Sequence, residues 1–93
     1  FAIYDSKANA FMTPFFSQTT GTAVRDFESA VNSENSTFGK YAADYTLFHL
    51  GEFDQSSAGF AMHETPQNMG LALTYLREPE NSLERHLPGL QEA

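Results

Sequence analysis

Residues 45–53, Tyr-Thr-Leu-Phe-His-Leu-Gly-Glu-Phe, predict the strongest strand of the chain, because aromatics and the β-branched Thr46 favour a pleated backbone. One side of that strand would carry Tyr45, Leu47, His49, Gly51 and Phe53, the other Thr46, Phe48, Leu50 and Glu52. A strand with one wet face alternates cleanly, and here both sides are largely apolar. Residues 54–59 read as a hairpin loop, 60–63 as the return strand and 65–68, Thr-Pro-Gln-Asn, as a second turn. Residues 1–4 read as a strand and 5–10 as a polar link. Residues 11–18 alternate, and Pro14, which has no N–H to give, marks them as an edge strand. The clearest helix spans 22–32: Ala23, Val24, Phe27, Ala30 and Val31 form one stripe, with Thr20 or Thr22 as cap and Asn32-Ser33 as the end. Residues 33–39 read as loop, 40–44 as a possible short turn, and 69–76 as either helix or strand.

These elements predict an α+β fold, a small antiparallel sheet of about four strands in the order β-β-α-β-β, with one main helix and a short C-terminal appendage. Residues 1–76 are expected to form a single domain and 77–93 a polar tail. Leu83, Leu87 and Leu90 give the tail a helical spacing, but Pro79 and Pro88-Gly89 limit any helix there to about two turns. A single three-turn helix covers one face of a sheet and leaves the other bare. Large bare apolar faces are rare on monomers, so a two-fold dimer is expected, with Phe15, Phe16, Tyr45, Leu47, Phe48, Leu50 and Phe53 as the self-association face. Residues 69–90 folding back as a lid are the competing arrangement.

Composition narrows the function. The chain has 93 residues, which allows one domain with a modest core whose stability margin a partner would raise. It contains no cysteine, which removes disulfide scaffolds, zinc–thiolate sites and thiol catalysis and fits a reducing cytosol. The longest apolar runs are far too short for a membrane-spanning helix, and no signal peptide is visible, so no membrane role is expected. Twelve acidic and five basic residues give a net charge of −7. Residues 48–93 hold most of it, at net −5 against −2 for 1–47.

Candidate chemistry is sparse. His49 and His63 would approach each other across the hairpin, near Glu52 or Glu64, whereas His86 lies in the tail. A metal site needs three or more ligands at fixed spacing and none stands out, so neither metal nor cofactor is expected. Glu52, Asp54 and Glu64 read as a solvated acidic rim rather than an acid–base pair. There is no nucleophile elbow, P-loop or dinucleotide fingerprint, and a chain this short leaves little room for a substrate pocket. The expectation is a protein without enzymatic activity. Binding to nucleic acid requires clustered Lys and Arg, and only 1–47 offers them: Lys7, Arg25 and Lys40, with Tyr4, Phe38 and Tyr41 as rings on which bases could stack. In the plainer alternative, those rings belong to the core and the cations to an ordinary surface.

Several strings are specific enough to compare. Ile3-Tyr4-Asp5-Ser6-Lys7-Ala8 is followed by Pro14-Phe15-Phe16 and by a helix entered through Gly21-Thr22-Ala23-Val24-Arg25-Asp26-Phe27. Asp44-Tyr45-Thr46-Leu47-Phe48 then runs into Leu50-Gly51-Glu52-Phe53-Asp54. In this order they resemble the small nonstructural protein of microviruses, the tailless single-stranded DNA phages, in the gokushovirus branch. The resemblance covers about residues 1–73. It implies an accessory protein of the host cytoplasm, absent from the mature capsid, serving the switch from double-stranded replication to single-stranded genome synthesis and packaging. It supplies no catalytic residues. It also implies a short basic lead-in ahead of Ile3, so part of any DNA affinity would lie outside residues 1–93. An acidic chain near DNA is repelled by phosphate except at a local patch. Its expected partners are therefore proteins of phage replication or capsid assembly, with direct binding of single-stranded DNA as the alternative.

Overall fold

The computed structural model describes residues 1–77. The expected tail, with Leu83, His86, Leu87 and Leu90, lies outside the described residues apart from Arg77. Four strands form one antiparallel sheet: β1 (Ala2–Asp5), β2 (Ala10–Phe11), β3 (Tyr45–Asp54) and β4 (Gly59–Leu71), in the spatial order β2-β1-β3-β4. Helices α1 (Thr20–Val31), α2 (Thr37–Lys40) and α3 (Ala72–Tyr75), with a 3₁₀ turn at Ala42–Asp44, complete the α+β fold that the hydrophobic pattern predicts.

Helix α1 begins two residues earlier than its apolar stripe suggests, because Thr19 is the cap. Its backbone is extended and its Oγ1 accepts from the Thr22 N–H at 3.1 Å. Ala23, Phe27 and Val31, spaced four apart, are the buried face. Phe27 and Val31 pack on Tyr45, Leu47, Ala42 and Ala72, with Ile3, Phe38, Met69 and Tyr75 at the margin. Each large side chain fully withdrawn from water here contributes about 1.5–3 kcal/mol. Phe38 meets Tyr45 edge-on at 5.0 Å between centroids, and Phe27 meets Tyr75 at 5.8 Å. All the described helices thus serve one face of the sheet.

Two expectations about strands are corrected. Residues 11–18 do not form a regular edge strand: only Ala10 and Phe11 pair in a ladder. Pro14 interrupts it, and the segment instead flanks β1 through isolated bonds, Met12 N–H to the Ile3 carbonyl at 2.7 Å and Phe15 N–H to the Phe1 carbonyl at 2.8 Å. Nor do residues 65–68 form a turn. They lie inside β4, which continues to Leu71 before α3 starts, so 69–76 is part strand and part helix.

The reason lies in the register. His49 pairs with Gln67 and Gly51 with Met62, so residues 63–66 of β4 oppose Leu50 alone. The turn-like Thr65-Pro66 is absorbed in this bulge, where Pro66 needs no ladder partner. A second bulge leaves Met69 unpaired between Asn68 and Gly70, and Gly70 takes φ +122°, a conformation that suits glycine. The hairpin turn is closed by Asp54, whose Oδ1 accepts from Ser56 N–H at 2.9 Å and from Ser56 Oγ at 2.7 Å. Those bonds hold its carboxyl below the usual range.

Candidate functional site

β1 accompanies β3 only as far as the Ala2–Phe48 pair, whereas β3 runs on to Asp54. Beyond Phe48, β3 and β4 form a two-stranded arm. Alternation along this arm places Phe53, Phe60 and Met62 on the helix-side face, and Phe16 reaches over to join them. The rings of Phe53 and Phe60 lie 4.9 Å apart, with Phe16 at 5.5 Å from Phe53 and 6.2 Å from Phe60. This cluster is open to water: Phe16 is 71% exposed and Phe60 62%.

The arm, residues 14–20 and the first turns of α1 enclose a groove of about 1080 Å³. Its apolar lining includes Phe1, Phe15, Phe16, Phe53, Phe60 and Met62. Its charged lining is Asp26 from α1 and Glu52 from β3, with no Lys or Arg. His49 also faces it, stacked on Phe1 at 4.6 Å. Ser17 Oγ, buried in the groove wall, has no hydrogen-bond partner.

His49 and His63 do meet as the sequence suggested, through the bulge rather than as a direct cross-strand pair. His63 Nε2 lies 3.1 Å from His49 Nδ1, and Gln67 Oε1 lies 3.4 Å from the same nitrogen. Among the described residues no group of three or more acidic, His or Cys side chains could hold a metal ion.

The opposite face of the sheet carries a second aromatic cluster. Tyr4 lies 5.0 Å from Phe11 and 6.4 Å from Phe48, and Phe11 lies 5.5 Å from Phe48, all edge-on. Phe11 and Leu71 are exposed there, and no described element covers them. Residues 69–77 do not act as a lid on this side, since Met69, Ala72 and Tyr75 pack into the helix-side core.

The residues singled out for self-association therefore separate. Tyr45 and Leu47 are buried under the helices and present no surface to a second chain. Phe15, Phe16, Leu50 and Phe53 line the groove, and Phe48 belongs to the reverse face. The six candidates for nucleic acid do not converge either. Phe38 packs against the core, Tyr4 sits in the reverse cluster, and Arg25 is on the exposed side of α1. Lys40 stacks over Tyr41 at 5.7 Å. Lys7 approaches the same end of the sheet, where the Ser6 N–H bonds to the Asp44 carbonyl at 2.9 Å. Sequence reasoning missed Phe60, Met62, Phe11 and Leu71. Their exposure depends on how distant segments pack across the sheet, which no local pattern encodes.

These features define a small α+β domain with two exposed aromatic surfaces and an acid-rimmed groove. The chain belongs to the phage ORF5 protein family, whose model matches residues 1–75. No curated protein and no solved structure matches it. No helix among the described residues is long and apolar enough to cross a membrane.

Proposed function

We propose that this phage protein is a non-enzymatic accessory protein of the microvirus type. In this reading it works in the host cytoplasm as a two-fold dimer, through contacts with phage replication or capsid-assembly proteins, and serves the switch from double-stranded replication to single-stranded genome synthesis and packaging. The observation that carries the reading is the distribution of charge over the exposed rings. Not one Lys or Arg lies between Lys40 and Arg77, the stretch that holds Phe48, Phe53, Phe60 and Met62. Rings without cations suit protein surfaces, because binding to nucleic acid needs phosphate neutralised.

A second reading, direct binding of single-stranded DNA, rests on the exposed Lys40–Tyr41 stack with Lys7 at the same sheet end. Titration of a labelled oligothymidylate at low and physiological salt separates the two. The first reading expects no binding at either salt; binding that falls steeply with salt supports the second. The role in phage growth is tested with a phage carrying an early stop codon in this reading frame. Double-stranded replicative DNA should accumulate while single-stranded progeny DNA falls. An unchanged ratio rejects the role.

A further inference from the structure

We infer that His49, His63 and Gln67 form a binding site for one late first-row divalent metal ion of the zinc class, held by His49 Nδ1, His63 Nε2 and Gln67 Oε1, with water completing the coordination. The site is independent of the protein-contact reading and gives the β3–β4 hairpin a ligand of its own.

Three observations carry it. First, the donor atoms are spaced as ligands. His63 Nε2 lies 3.1 Å and Gln67 Oε1 3.4 Å from His49 Nδ1. Two nitrogens each about 2.0–2.1 Å from one ion stand about 2.9–3.4 Å apart, for bond angles between octahedral and tetrahedral. Second, the atoms converge on one position. A ring nitrogen either carries a proton or offers a lone pair, so His49 Nδ1 serves both neighbours only with a single proton or a single cation between them. An ion in that place satisfies all three atoms at once. Third, the backbone brings them together. Gln67 is the ladder partner of His49, and the bulge of residues 63–66 opposite Leu50 carries His63 onto the same ring. Phe1 stacks on His49 at 4.6 Å and steadies the plane of that ring.

Both histidines are half-buried and Gln67 is exposed, so water reaches the remaining coordination positions. The site escapes a count of acidic, His and Cys side chains because its third donor is an amide oxygen. Imidazole nitrogen selects zinc, copper and nickel over magnesium and calcium, which take oxygen. The carboxylates of Asp26 and Glu52 line the groove that His49 faces, and no Lys or Arg lines it to repel a cation. An ion held here ties β3 to β4 at the start of the bulge and just past its end.

The test titrates zinc chloride into the full chain by calorimetry, with magnesium chloride alongside. One zinc should bind per chain, and magnesium should not bind. His63→Ala and His49→Phe should each weaken zinc binding by about tenfold or more, and Gln67→Ala by a smaller factor. His49→Phe keeps a ring to stack on Phe1, so a loss there is not a loss of fold. His86→Gln, outside the described residues, should leave the affinity unchanged. On zinc addition, amide exchange should slow most across 62–68. Absence of zinc binding overturns the inference. So does unchanged affinity in both histidine variants, or equal binding of magnesium, since either would mean ions gathered by the acidic surface at large. A loss with His86→Gln equal to that with His63→Ala overturns it by moving the ion to the tail. One zinc per two chains also overturns it, because the histidines would then bridge copies instead of closing on one hairpin.

Discussion

The side chain of Asn32 donates from Nδ2 to the Tyr75 carbonyl at 3.0 Å, joining the end of α1 to the end of α3. The same Nδ2 donates to the Glu28 carbonyl at 2.8 Å, and Oδ1 accepts the Arg77 N–H at 2.8 Å. One amide thus adds a second bond to the Glu28 carbonyl, which already accepts the Asn32 backbone N–H at 3.1 Å, and clasps the chain where it leaves the core. The neighbouring Arg77–Glu28 contact, 3.7 Å between exposed groups, adds little. Asn32→Ala should cost about 1–2 kcal/mol, the net worth of part-buried hydrogen bonds whose partners are left behind. Asn32→Asp should also destabilise, because it keeps the acceptor for Arg77 but cannot donate to Tyr75. Urea denaturation of the two variants checks this; unchanged midpoints would show that the clasp is not structural.

The arm has its own control point at Gly51. A Cβ there would meet the Ala61 carbonyl oxygen and lie 2.7 Å from Met62 Cα, both backbone atoms that cannot swing aside. Gly51→Ala should therefore push β4 from β3 at the root of the arm, at a cost of about 1–3 kcal/mol. Hydrogen exchange should rise over 51–62 and stay near wild type in α1. A uniform rise across the chain would mean that the arm and the helical core unfold as one unit.

Much of this architecture is legible in the residues, for physical reasons that also mark where legibility ends. The stripe of Ala23, Phe27 and Val31 marks a helix lying on a core, and the aromatics and β-branched Thr46 of 45–53 mark a strand. That composition does not say which of two apolar sides faces the helices, so it does not separate Tyr45 and Leu47, which are core, from Phe48, which belongs to the reverse face. Thr65-Pro66 carries turn chemistry, yet a bulge satisfies the same backbone needs without reversing the chain. The groove brings together Phe1, residues 14–20, the start of α1 and the β3–β4 arm, a relation between distant segments that no window along the chain contains. The approach of His49 and His63 was visible because both lie on one hairpin.

Alkaline pH should expose the burial of Tyr45. Its phenol is pushed above its ordinary value near 10, chiefly by burial and further by the negative charges of Asp5 and Asp44. The native state thus holds that proton more tightly than the unfolded chain does. The associated stability is complete below the ordinary tyrosine range and is lost as pH rises through the folded value. Unfolding midpoints measured from about pH 9 to about pH 11 should fall, and Tyr45→Phe should fall less over the same interval. Parallel curves for the two proteins would mean that another group governs the alkaline limb.

The reverse face makes the firmest demand on association. Phe11 is 46% exposed and lies beside the Tyr4–Phe48 contact on a side that no described element covers, with the exposed Leu71 on the same face through its pairing with Thr46. Covering such side chains releases about 1.5–3 kcal/mol each when burial is complete. Two-fold pairing covers the same patch twice, once from each copy. Wild-type chain diluted through a light-scattering series should pass from a two-chain to a one-chain mass. Phe11→Ser/Leu71→Ser should shift that midpoint to at least about tenfold higher concentration. Little of the folded core is touched, since both side chains are exposed and neither belongs to the core cluster. Phe16→Ser, on the helix-side arm, should leave the midpoint where it was, which separates the pairing face from the groove. A one-chain mass at every concentration, or a midpoint that moves with Phe16 and not with Phe11, would reject pairing through this face.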